Sequence, residues 1–78
     1  MSEGSREHPL AFANQGQTVS VASVRAGKAD VQHHLENLGF VEGSRIRIIS
    51  EQQGNLIVEV KGARVALNRA TASRITVR

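Results

Sequence analysis

The sequence predicts a mainly β fold: a small, partly open barrel of about five short strands with one short α-helix. Three observations carry this. Several short runs alternate apolar and polar residues, the period of a half-buried strand. One segment switches to the helical period. Glycine-containing turns separate the runs. The chain has 78 residues and no cysteine, so it holds one small domain without disulfides.

Residues 1–8 are polar and lack periodicity, and they read as a flexible N-terminal tail, with the domain running over 9–78. Pro9, Leu10, Phe12 and Ala13 form a short apolar stretch that fits a single turn docked on the core. Residues 14–17, Asn-Gln-Gly-Gln, are a turn. From Thr18 to Val24 the alternation and the β-branched residues predict a strand, with Val19 and Val21 on one face. Over residues 28–38 Val31, Leu35 and Leu38 fall at i, i+4 and i+7, a helical stripe, and Gly39 stands where a left-handed C-cap is common.

Glu42-Gly43 turns the chain into an alternating strand at Arg45-Ile46-Arg47-Ile48. Leu56, Val58 and Val60 mark the inner face of the next strand, and Val65 and Leu67 that of a third. Residues 68–73 fit one helical turn, and Ile75 and Val77 mark a closing strand.

Registers follow from matching inner faces across each hairpin, because a slip of one residue inverts every side chain. Ile48 then opposes Val58 and Ile46 opposes Val60, with Gln52-Gln53-Gly54 as a three-residue loop. A Lys61-Gly62 turn places Val60 opposite Ala63, Val58 opposite Val65 and Leu56 opposite Leu67. Together these elements suggest an SH3-like barrel. The expected core is Val19, Val21, Val31, Leu35, Leu38, Ile46, Ile48, Leu56, Val58, Val60, Val65, Leu67, Ile75 and Val77.

The formal charge is +3, and residues 31–78 carry all of it, since acids balance bases over residues 1–30. Such a surplus suits an acidic protein, a nucleic acid or a headgroup surface. The chain has two phenylalanines and no tyrosine or tryptophan, which leaves little for stacking on single-stranded bases, so no nucleic acid is expected. No apolar run reaches the ~18 residues that span a bilayer, and the first twenty residues show no signal-peptide core. The expected location is cytoplasmic.

The segment Leu35-Glu-Asn-Leu-Gly-Phe-Val-Glu-Gly-Ser44, the strand and hairpin through Lys61-Gly62, Val65-Ala-Leu67, Ala72 and Ile75-Thr-Val77 resemble the ferrous iron transport protein A (FeoA) family. The likeness runs from about Leu10 to Val77. Glu42 stands where the family often has proline, Gln32-His33-His34 replaces a more basic helix surface, and Glu51-Gln-Gln-Gly54 replaces a proline-containing loop. The resemblance implies an SH3-like domain in the cytoplasm that assists ferrous iron uptake by contact with the membrane permease FeoB. It implies no catalytic residue and no cofactor.

His33 and Glu36 stand at i, i+3 with His34 adjacent, donor types that suit a divalent metal. A further ligand would have to come from His8 or Asp30, and the plainer reading is a solvated helix face. Gly27-Lys28 lacks the upstream glycine of a phosphate-binding loop. No nucleophile sits in a recognisable catalytic setting.

The registers give one further candidate. On the outward face Arg47 opposes Glu59, and Glu59 opposes Arg64, while Ile49 faces Ile57 and Ile57 faces Ala66. Outward apolar residues rimmed by arginines have the character of a protein-docking surface. The reading is a non-enzymatic accessory protein that contacts a FeoB-type permease. The alternatives are a basic nucleic-acid-binding barrel and a metal-responsive domain like those of iron-dependent repressors.

Overall fold

The alternating runs become strands of one antiparallel sheet in a computed structural model that describes residues 7–78. The strands are β1 (His8–Pro9), β2 (Thr18–Val24), β3 (Arg45–Gln52), β4 (Asn55–Val60), β5 (Ala63–Asn68) and β6 (Ile75–Val77), in the order β1-β6-β2-β3-β4-β5. The helices are α1 (Ala29–Leu38) and the single turn α2 (Arg69–Ala72), with a 3₁₀ turn at Leu10–Phe12.

β2 is the hinge of the sheet. Its first part pairs with β3, Val19 opposite Ile46, and its second with β6, Val24 opposite Ile75. A register shift between Val21 and Ser23 turns the strand from one partner to the other, as bulges do at barrel corners. The two lips of the sheet, β1 and β5, are not paired with each other. The 3₁₀ turn packs on β6 and α2, and α2 packs on β4 and β5, so short helical turns bridge the gap. Asn68 caps α2, its side-chain oxygen accepting from the Thr71 N–H at 2.8 Å.

The β4–β5 register matches the expectation at every pair, including Val58 opposite Val65. The β3–β4 register matches from Ile46 to Ile48 and then departs. Ser50, not Ile49, opposes Ile57, because Ile49 is the extra residue of a bulge. The loop is therefore two residues, Gln53-Gly54, rather than three. Positive φ at Gln53 (53°) and Gly54 (81°), and at Lys61 (51°) and Gly62 (80°), gives both hairpins the turn geometry that suits the strand twist.

α1 ends where Gly39 takes φ 110°. The Gly39 N–H donates to the Glu36 carbonyl and the Phe40 N–H to the Leu35 carbonyl, both at 3.0 Å, closing the helix with a Schellman motif. A Cβ at Gly39 would stand 3.2 Å from Val60 Cγ2, so glycine also permits the close approach to β4. The motif brings Phe40 back onto Leu35, and both are buried.

Eleven of the fourteen expected core residues are buried, and Leu10, Phe40 and Ala72 join them. Val31 is the exception on α1, 38% exposed, and Leu38 and Val65 are half-buried. Phe12 is 71% exposed, so the N-terminal turn anchors through buried Leu10, with Ala11 and Ala13 packed beside it.

His8, placed by the sequence in the tail, pairs with Val77 in β1, which adds a two-residue strand to the expected set. Residues 1–6 of the predicted tail lie outside the described residues. Glu7 reaches Arg78 at 3.9 Å on the same lip.

Candidate docking surface and its family

β3, β4 and β5 set the candidate residues side by side. Arg47 opposes Glu59, Glu59 opposes Arg64, and Ile57 opposes Ala66. Arg47, Arg64 and Ala66 are exposed, while Ile57 and Glu59 are half-buried. Among the described residues no ion pair links the three charged side chains, so the arginines are left to meet other partners. Ile49 is the predicted strip residue whose expected partner changes: the bulge carries it out of register with Ile57. The pair Arg69–Glu51, at 2.6 Å, instead ties α2 to the end of β3, and Arg69 also donates to the Ala11 carbonyl.

β5 also borders a groove that the sequence did not disclose. It measures about 380 Å³ and runs between α1 and β5. Val31, Leu35 and Leu38 line the helix side, and Val65 and Leu67 the strand side. These include the three expected core residues that are not fully buried. Periodicity identified their common face correctly, but α1 and β5 stand apart there. The available signal was the position of β5, the last strand of the β3-β4-β5 meander, which has no second strand neighbour among the described residues.

The candidate metal residues remain on the outer surface of α1. His33, His34 and Glu36 are exposed, and among the described residues no three His, Cys, Asp or Glu side chains gather as a metal set. His34 turns to the groove, whereas Glu36 lines a separate small hollow beside β2 with Gln32. Gln32 has a clear structural part. Its side-chain oxygen accepts from the Ala26 N–H at 3.1 Å, and its amide donates to the Val24 carbonyl at 3.0 Å. It thereby fastens the first turns of α1 to the end of β2. No polar side chain is buried among the described residues, so the chemistry available is that of an exposed surface.

The FeoA domain model matches residues 8–78, from β1 to the last residue. The chain belongs to the FeoA family. A relative from Methanocaldococcus jannaschii, named putative Fe(2+) transport protein A, is 37% identical over 70 residues, covering 90% of this chain and 84% of its own. The zinc complex of Stenotrophomonas maltophilia FeoA, described as a procaryotic SH3 domain protein, superposes with TM-score 0.80 at 28% identity. That match covers 90% of this chain and 88% of the other. A manganese-dependent transcriptional repressor in complex with manganese reaches TM-score 0.85 at 23% identity, over 96% of this chain and 37% of its own. At that identity the repressor shares the fold alone. The fold is thus mainly β and SH3-like, and the family places the chain among accessory proteins of ferrous iron transport. Among the described residues no helix is long and apolar enough to cross a membrane.

Proposed function

We propose that this FeoA-family chain assists ferrous iron uptake in the cytoplasm by docking on the cytosolic part of a FeoB-type permease and tuning its transport or GTP hydrolysis. The observation that carries this reading is the outer face of β3–β5, where Ile57 and Ala66 form an apolar centre flanked by Arg47 and Arg64. Apolar centres with charged rims are the usual anatomy of protein contacts. The arginines give the rim a positive character suited to an acidic partner. Phe40, one of the two aromatic residues, is buried, which leaves Phe12 as the aromatic available for stacking on bases.

Ile57→Lys tests the contact. The variant should keep its amide NMR dispersion, since Ile57 points outward and is half-buried. It should lose capture of the permease's cytosolic region in a pull-down. A folded variant that still captures it would move the docking site elsewhere.

A further inference from the structure

β5 is an edge strand whose outer backbone groups have no partner among the described residues. The pair next to a two-residue turn is hydrogen-bonded in a hairpin, so Ala63, Val65 and Leu67 exchange bonds with Val60, Val58 and Leu56. Arg64 and Ala66 therefore direct their N–H and C=O groups away from β4. Among the described residues nothing bonds to them. Proteins usually cover or blunt such an edge. Here the edge opens onto the groove along α1, with Val31 exposed and Leu38 and Val65 half-buried.

We propose that the β5 edge is a strand-addition site that takes an extended segment of a partner protein in which apolar and acidic residues alternate. The backbone of that segment pairs with Arg64 and Ala66. Its inward side chains follow the face of Val65 and Leu67 and enter the groove against Val31, Leu35 and Leu38. Its outward side chains lie beside Arg64. Charge selects the acidic alternative: Arg64 lines the groove, and among the described residues no carboxylate does. A second copy of the chain would bring the same basic residues and another net +3 to this edge, which disfavours self-pairing. Strand addition explains together the bare edge, the unfilled apolar groove and the absence of acidic lining. It deepens the docking reading, on which it rests for the partner's identity alone.

The test is a titration of the whole chain with a synthetic Glu-Val repeat peptide of about eight residues, followed by amide NMR. The Arg64 and Ala66 signals should shift, and their amides should gain protection from hydrogen exchange. Methylating alternate peptide nitrogens, which removes donors and keeps the side chains, should weaken binding about tenfold or more. Ala66→Pro should do the same, because it removes the N–H offered to the new strand. The fold should survive it, as proline is tolerated at an edge position whose N–H faces solvent. Val31→Lys supplies an independent variant that charges the groove from an exposed position and should also weaken binding. Equal affinity for the methylated peptide, or no binding of either peptide, overturns the proposal. So does a concentration-dependent dimer that Ala66→Pro abolishes, since a second copy would then own the edge. Failure here with the permease pull-down intact removes strand addition and leaves the permease contact standing.

Discussion

Gln32 shows how one side chain can substitute for a stretch of strand. β2 ends at Val24, and its last carbonyl and the Ala26 N–H would otherwise face the start of α1 without partners. The carboxamide carries both a donor and an acceptor, so it satisfies both groups at once. Glutamate at this position would lack the donor, and lysine would lack the acceptor. Gln32→Ala should therefore destabilise the fold by about 1–2 kcal/mol, because two part-buried backbone groups lose their bonds. Urea unfolding followed by circular dichroism measures this. A change of a few tenths of a kcal/mol would mean that water replaces the amide without penalty. The surrounding residues explain why helical periodicity alone hides such a role. Gln32 lies off the Val31–Leu35–Leu38 stripe and resembles any solvated helix position in sequence.

At the scale of elements, the hairpins separate what parity can decide from what it cannot. Opposing Ile48 with Val58 leaves an odd residue between the strands. A three-residue loop absorbs it, and so does a two-residue turn with a bulge. Both keep Ile46 opposite Val60, so the inner faces cannot discriminate between them. The chain takes the second solution and puts the odd residue at Ile49, which is why the Arg47–Glu59–Arg64 row was legible and the Ile49–Ile57 pair was not. β1 was hidden for another reason: two residues, one of them Pro9, carry no readable alternation. The groove escaped because it lies between α1 and β5, elements joined by no hairpin, so no local rule fixes their spacing. The tight turn also leaves a removable strain. Gln53 sits at φ 53°, a left-handed conformation that asparagine adopts more readily. Gln53→Asn should stabilise the protein by about 0.5 kcal/mol in urea melts. A loss of stability would show that the glutamine side chain contributes something beyond the turn.

For the molecule as a whole, the core is small and α1 is its least supported wall. A chain of this size has about 4–12 kcal/mol of stability at typical values per residue. α1 is held at one end by Gln32 on β2 and at the other by the Gly39–Phe40 cap against β4, and between them Leu35 is its buried side chain. Leu35→Ala would leave a cavity beneath the helix, beside a groove that already lacks packing atoms on one side. Such truncations destabilise by about 2–5 kcal/mol. That is a large share of the total, so the urea midpoint should fall steeply and the variant should be partly unfolded near physiological temperature. Val31 lies on the same stripe but is 38% exposed, and Val31→Ala should change stability by less than about 0.5 kcal/mol. The contrast between the two is the informative measurement. A large loss in both variants would mean that the groove is closed in solution, with α1 seated on β5. A negligible loss in both would mean that the sheet holds its fold without the helix. The expected pattern, a heavy loss at Leu35 and almost none at Val31, requires a helix seated through Leu35, with Leu38 packed beside it, while Val31 stays available at the open edge of β5.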